Sequence, residues 1–246
     1  MLLFPNAKIN LGLHVLRRRS DGYHDIETLF YPVLDLCDVL ELVPSDHLSM
    51  IVHNADIAGE NLCEKAWQLM HREFGIPPVE IHLYKKIPMG AGLGGGSADA
   101  AFTLKGLDAL FGLKLPQDEL AALAAQLGSD CAFFIYNRPM LARGRGEILT
   151  PYPLSLEGRR LEIFPQDVFV STREAYAALT PHQPDRNLDT VLKEPVESWR
   201  DHLVNDFEVT VFARYPQLAA AKEALYAGGA VYAAMSGSGS ALFAIY

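Results

Sequence analysis

The chain reads as an α+β protein on three observations. Alternating apolar and polar residues, the period of a half-buried strand, dominate residues 2–16 and 24–43 and return near the C-terminus. Helical spacing is concentrated between residues 59 and 127 and again between 202 and 227, and it does not alternate regularly with the strands. Between two such patterns lies Pro88–Ala101, PMGAGLGGGSADAA, whose glycines join a strand to a helix.

In chain order, residues 2–16 read as a strand, residues 24–43 as one or two more, and Leu48–His53 as another. Gly59–Gly75 reads as a helix: Leu62, Ala66, Leu69, Met70 and Phe74 fall at helical spacing and Gly75 supplies a stop. Val79–Tyr84 (VEIHLY) alternates like a strand, and beyond the glycine loop residues 97–111 form a helix with Ser97 as its N-cap. Pro116–Leu127 is a short helix with Pro at its start, and short strands around 138–143 and 147–150 lead to Pro151 and Pro153. The segment Pro151–Gly158 is the candidate boundary between domains of residues 1–152 and 153–246. Beyond it come a strand at 160–165, a helix near 171–179, two helices between 202 and 227, and strands at 230–235 and 241–246. No repeat or low-complexity segment interrupts this order.

Half of the 246 residues are hydrophobic, ample for a core, and the net charge of −9 argues against nucleic-acid binding as the main activity. A small anionic ligand is still compatible, because a helix dipole and one or two lysines dominate the field in a cleft. Cys37, Cys63 and Cys131 are odd in number, scattered and without a CxxC pair, as expected of reduced packing residues in a cytosolic protein. The apolar start is interrupted by Asn6, Lys8 and Asn10, and no apolar run reaches the roughly 18 residues of a membrane span. The histidines form no HxxxH or HExxH pair and no cluster has zinc spacing, so no resident metal site is expected. The expectation is a cytoplasmic monomer or weak homodimer with neither membrane nor nucleic-acid partners.

The glycine loop is where chemistry is expected. A segment this poor in side chains lets backbone N–H groups approach a ligand. The helix start behind it adds unpaired donors and partial positive charge, and together these suit phosphate. It is not a Walker A loop, because no Gly-Lys-Ser/Thr follows at the required spacing. Gly90, Gly92 and Gly95 can be fitted to the G-x-G-x-x-G of a dinucleotide fold, which would make a nicotinamide-dependent oxidoreductase. The late position of the loop disfavours that reading, and Asp118 and Glu119, near the acidic position it needs, look like the cap of the next helix. A tight loop without a ligand is the other alternative, but three consecutive glycines at a helix start cost conformational entropy with no packing return.

The loop resembles the phosphate loop of the GHMP kinases, the superfamily of galactokinase, homoserine kinase, mevalonate kinase and phosphomevalonate kinase. Within it, Ala7-Lys8-Ile9-Asn10-Leu11 paired with Asp21-Gly22-Tyr23-His24 is similar to one branch. That branch phosphorylates 4-diphosphocytidyl-2-C-methyl-D-erythritol in the non-mevalonate route to isoprenoid precursors. Gly128-Ser129-Asp130, Arg143-Gly144-Arg145-Gly146-Glu147, Asn205-Asp206-Phe207-Glu208 and Met235–Ser240 (MSGSGS) match in family order, so the resemblance spans the chain. It implies an N-terminal domain like the second domain of ribosomal protein S5, a C-terminal ferredoxin-like domain and an active site in the cleft between them. ATP with Mg²⁺ is the implied co-substrate.

Read alone, Lys8 in an alternating strand is a solvated residue and Asp130 a helix N-cap. The resemblance reverses both: it turns them toward the acceptor hydroxyl, Asp130 as base or orienting group and Lys8 as electrostatic stabiliser. Pro88, Met89, Gly90, Ala91, Gly92, Leu93, Gly94, Gly95, Gly96 and Ser97 are implied to bind ATP, the Ser97 hydroxyl capping the helix or reaching phosphate or Mg²⁺. Asn61 and Lys85 are implied to line the nucleotide pocket; read alone, they are a helix-start residue and a solvated charge. Asn10 is implied to bind the substrate polyol, Tyr23 to stack on cytosine and His24 to bond the edge of the base. Tyr176, four residues after Thr172, would cover the other face. Gly237 and Ser238 of MSGSGS, read alone a hairpin turn, are implied as a second glycine lip. Where the branch has Val-Pro after its Gly-x-Asp, this chain has Cys131-Ala132, from which a looser turn is expected. The alternatives are another GHMP kinase, of homoserine or mevalonate type, and a catalytically inactive ligand sensor. Tyr23-His24 argues against the first, and Lys8 with Asp130 against the second.

Overall fold

A computed structural model of the chain describes residues 1–56 and 59–246. Chain order is β1 (Leu2–Leu3), β2 (Asn6–Arg18), β3 (His24–Cys37), β4 (Val39–Pro44), β5 (Ser49–Val52), α1 (Leu62–Phe74), β6 (Val79–Tyr84), α2 (Gly95–Phe111), α3 (Gln117–Leu127) and α4 (Cys131–Tyr136). It continues with β7 (Met140–Gly144), β8 (Ile148–Pro151), β9 (Leu161–Phe164), α5 (Thr172–Ala178), α6 (Leu188–Leu192) and a 3-10 turn at Val196–Asp201. Last come α7 (Phe207–Arg214), α8 (Pro216–Ala227), β10 (Tyr232–Met235) and β11 (Leu242–Ile245).

Local chemistry sets several boundaries. Asn61 caps α1 in a reciprocal box: its side chain accepts from Cys63 N–H at 2.9 Å, and Glu64 accepts from Asn61 N–H at 3.1 Å. Gly75 ends α1 in the left-handed conformation at φ 65°. The glycine-loop helix begins two residues earlier than expected. Gly94 turns the chain at φ 74°, and its carbonyl accepts from Ala98 N–H at 2.9 Å. Ser97 is therefore the third residue of α2 and not its N-cap, because a left-handed glycine makes the turn that a capping side chain would otherwise stabilise. Helix α4 was not expected; six residues of apolar CAFFIY are too short to show a helical period. Because α4 starts at Cys131, Ala132 lies in its first turn, where an N–H has no intrahelical acceptor. The N–H that alanine has and the branch's proline lacks therefore finds no helical acceptor there.

Contacts divide the chain into two interleaved units. The first comprises residues 1–8, 32–88 and 94–138. Its sheet has the order β1-β4-β6-β5, with β5 parallel to β6 and the other pairs antiparallel. Helices α1 and α2 pack together, α3 packs on α4, and α2 also meets β4. A Cβ on Gly106 of α2 would lie 2.5 Å from Leu3 Cδ1 and 2.6 Å from Leu42 Cδ1, so this glycine lets the helix settle on the sheet.

The second unit comprises residues 9–31, 89–93 and 139–246. It holds an antiparallel sheet of order β10-β11-β9, whose core joins Met235 and Leu242 to Val170, Ala175, Phe207, Val211 and Leu218. A second sheet has the order β2-β3-β7-β8. In this division residues 9–31 group with residues 139–246. A bridge at Leu13↔Asn205 and a contact of 3.3 Å between His14 and Asp206 tie β2 to them. Strand β2 is buried from Asn6 to Val15, so the alternation in its sequence does not mark a solvent face.

Candidate active site

In the first unit, Lys8 and Asp130 face each other. Lys8 Nζ lies 3.5 Å from Asp130 Oδ2, with the lysine side chain 4% exposed and the aspartate 27%. Burial pushes the Lys8 ammonium below its ordinary range, and Asp130 pulls it partly back. Asp130 stands at the N-cap position of α4 but makes no side-chain capping bond, so its carboxylate is not spent on the helix. The start of α2 lies against this pair: a Cβ on Gly94 would sit 3.0 Å from Lys8 Cγ and 2.9 Å from Phe134 Cζ. No side chain caps α2 either. Ser97 is half-buried and its side chain hydrogen-bonds Cys131, whose thiol is pushed up to about 12, chiefly by burial. Such a thiol is inert, in keeping with a packing role.

Gly96, in the first turn of α2, is exposed, and its φ lies outside the left-handed region. Among the described residues, a Cβ there would meet only Leu62 Cδ1, at 3.9 Å. Nothing in the described fold requires a glycine at this position. A glycine within a helix costs up to about 1 kcal/mol relative to alanine.

Lys85 is not a solvated charge. Its ammonium is buried between Asp38, in direct contact, and Asp99 Oδ2 at 2.6 Å. Burial lowers its proton affinity, the two carboxylates more than restore it, and the result is above the ordinary range. Asp38 Oδ1 also accepts from the backbone N–H groups of Lys86 and Ile87, at 2.5 and 2.8 Å. Asp99, in α2, points into the core, and burial pushes its carboxyl up to about 7. Asn61 serves as the cap of α1 described above.

In the second unit the two glycine segments meet backbone to backbone. A Cβ on Gly92 would lie 2.0 Å from the Ser236 carbonyl oxygen, and one on Gly237 3.2 Å from the Gly92 carbonyl oxygen. Ser236 donates to the Gly92 carbonyl at 2.9 Å, and Ala241 N–H to that of Ala91 at 3.1 Å. Asn10 donates to Thr28 Oγ1 at 3.0 Å, and its Oδ1 would be 3.5 Å from a Cβ on Gly237. The Ser238 hydroxyl lies 3.0 Å from that of Thr172. MSGSGS is thus a lip on the glycine loop as well as the turn between β10 and β11.

The aromatic residues pair differently from the expected sandwich. Tyr176 stacks on His24, with ring centroids 4.8 Å apart and planes at 21°, and Phe207 meets Tyr176 edge-on. Tyr23 is 57% exposed and carries the Arg145 guanidinium over its ring, 4.8 Å from the centroid. Burial, with a contribution from Arg18, lowers the proton affinity of His24 below its ordinary range.

Comparison with known proteins agrees with this architecture. The model of the GHMP kinases N terminal domain matches residues 61–138, and that of the GHMP kinases C terminal domain matches residues 188–246. The chain belongs to the GHMP kinase family. Among its GHMP kinase relatives, a protein of Bacteroides thetaiotaomicron named 4-diphosphocytidyl-2-C-methyl-D-erythritol kinase is 51% identical, over all of this chain and 92% of its own length. The protein of that name from Chlorobaculum tepidum is 40% identical over 98% of this chain and 87% of its own. A crystal structure of 4-(cytidine 5'-diphospho)-2C-methyl-D-erythritol kinase, 36% identical, superposes with a TM-score of 0.86 over all of this chain and 90% of that one. Methanococcus jannaschii mevalonate kinase shares the GHMP kinase fold at 14% identity, with a TM-score of 0.70 over all of this chain and 90% of that one.

Two residues that sequence reasoning matched only as motif letters hold the second lip in place. Asn205 donates to the carbonyls of Met235 and Gly237, both at 2.8 Å, and Glu208 accepts from Met235 N–H at 2.7 Å. The signal was the segment NDFE itself, without a partner in sequence to explain it. Among the described residues no three His, Cys, Asp or Glu side chains come together to hold a metal, and no helix is long and apolar enough to cross a membrane.

Proposed function

We propose that the protein transfers the γ-phosphoryl group of ATP to the 2-hydroxyl of 4-diphosphocytidyl-2-C-methyl-D-erythritol. Full-length relatives with that activity in their names support the substrate. The observation that carries the nucleotide half is Gly96: a glycine the described fold does not require, in the first turn of a helix without a side-chain cap. Its backbone N–H groups, with those of Gly94, Gly95 and Ser97, take the phosphates. Pro88–Leu93 forms the rest of the phosphate loop, and Asn61 and Lys85 support the nucleotide site from α1 and the end of β6. Mg²⁺ brought with ATP would be held by phosphate and water oxygens and would supply charge neutralisation, and the Ser97 hydroxyl would be a hard oxygen donor available to it.

Asp130 orients the hydroxyl and takes its proton as the oxygen bonds to the γ-phosphorus and the bond to the ADP oxygen breaks. Lys8 stabilises the charge on the equatorial oxygens. A tertiary alcohol is a crowded nucleophile, so alignment by Asn10, Gly237 and Ser238 matters as much as proton removal. Tyr23 and Tyr176 supply ring faces for cytosine, and His24 bonds its edge. The test is ADP release with this substrate, mevalonate and homoserine in parallel. Turnover of the cytidine-linked substrate alone is expected; equal turnover of mevalonate or homoserine contradicts the assignment.

A further inference from the structure

The proposed substrate carries a diphosphate, and no residue assigned to it so far brings a full positive charge. Asn10, Tyr23, Tyr176, Gly237 and Ser238 are uncharged, and burial lowers the proton affinity of His24. Five arginines lie in the segments around Tyr23: Arg17, Arg18 and Arg19 precede it, and Arg143 and Arg145 come from β7 and the β7–β8 hairpin, where β7 pairs with β3. Most of these arginines are occupied. Arg17 and Arg19 hold Asp25, Arg19 also holds Asp21 at 3.0 Å, and Arg143 holds Glu27 at 2.8 Å.

Arg145 is different. Its Nε is 3.8 Å from Glu147 Oε1, too long for a hydrogen bond. Glu147 Oε2 instead accepts the Arg145 backbone N–H at 2.5 Å, which braces the hairpin. Gly144 and Gly146 flank Arg145 in positive-φ conformations, at 69° and 112°. The guanidinium is left on the exposed ring of Tyr23.

We propose that Arg145 binds the diphosphate of the cytidine-linked substrate and sets its preference for the diphosphate over the bare nucleoside; this rests on the function proposed above. A guanidinium offers paired donors that match phosphate oxygens, and its stacking on Tyr23 orders it before the ligand arrives. Arg18 is the one of these five arginines with no carboxylate contact among the described residues, and its charge acts on His24. It is the natural control.

Calorimetric titration of cytidine and of CDP, with MgADP saturating the nucleotide site, tests the assignment on wild type, Arg145→Gln, Arg145→Lys and Arg18→Gln. In Arg145→Gln, CDP affinity is expected to fall roughly tenfold, the usual scale of a charge-assisted bond, while cytidine affinity is unchanged. Arg145→Lys should recover part of the loss. A CDP-to-cytidine preference that survives in Arg145→Gln, or disappears instead in Arg18→Gln, overturns the role of Arg145 and leaves the proposed function standing. Binding of neither cytidine nor CDP to wild type contradicts the proposed function, and the assignment with it.

Discussion

Two buried lysines of the first unit have opposite fates. Lys85 is 9% exposed and held by Asp38 and Asp99, whose side chains are 0% and 3% exposed. Lys8 is 3% exposed and faces Asp130 across 3.5 Å, and that aspartate is open to solvent on one side. Two close carboxylates raise the proton affinity of Lys85, whereas burial prevails at Lys8 and lowers it. The difference is between a lysine held by two buried carboxylates and one that faces a carboxylate solvent reaches. A lysine that two buried carboxylates already neutralise has little field left for a ligand. A desolvated lysine beside one accessible carboxylate concentrates its field on whatever anion arrives.

Three predictions sharpen this contrast. The largest effect is on stability. Lys85→Met leaves two buried carboxylates without their cation and should cost about 3–5 kcal/mol. Lys8→Met removes a poorly solvated charge and leaves an aspartate that water can reach, so it should change stability by less than about 1 kcal/mol. Urea denaturation of both variants checks this, and equal losses would erase the distinction.

The second prediction is a pair of opposite pH responses. The folded pKa of Lys8 lies below the ordinary 10.5, so the unfolded chain binds more protons in that window and stability rises with pH across it. The folded pKa of Lys85 lies above 10.5. Its contribution is present below 10.5 and is lost as pH rises through the folded value. Denaturation between neutral and alkaline pH should therefore show a steeper alkaline loss in Lys8→Met than in wild type, and a shallower one in Lys85→Met. The reverse order would contradict the shifts.

The smallest effect comes from Gly96→Ala. The described residues leave room for the methyl group, so folding should gain about 0.5–1 kcal/mol from helix propensity and a less flexible unfolded chain. If Gly96 takes phosphate as proposed, MgATP affinity should fall, because the methyl group would stand in its approach. Thermal denaturation and nucleotide titration of the same variant decide it; a gain in stability with full ATP affinity would remove the ligand from the account.

Much of the fold was legible because its signals are local. VEIHLY alternates over the whole of β6, Gly75 stops α1, and Pro116 precedes α3. The parts that were not legible depend on distant partners. The Asp38–Lys85 and Lys85–Asp99 contacts join residues 47 and 14 apart, and no spacing rule brings them together. The burial of Lys8 was hidden for a similar reason: the alternation of β2 resembles a half-exposed strand, and only tertiary packing covers its second face. Ser97 was misread as a cap because serine before an apolar run is a strong start signal, and here the left-handed turn at Gly94 overrides it. His24 stacked on Tyr176 could not be seen in the sequence either, since the two rings are brought together only by folding.

We propose that Lys8, paired with Asp130, carries the chemistry and that Lys85 does not. Single-turnover transfer from ATP to the cytidine-linked substrate, measured on Lys8→Met and Lys85→Met at a temperature where both are folded, tests it most directly. Lys8→Met should slow the transfer by about 10²-fold or more, the scale of a lost electrostatic stabiliser, with ATP affinity retained. Lys85→Met should transfer at close to the wild-type rate once its folded fraction is accounted for. A Lys8→Met enzyme that keeps half of the wild-type rate, or a folded Lys85→Met enzyme that loses it, would contradict the claim.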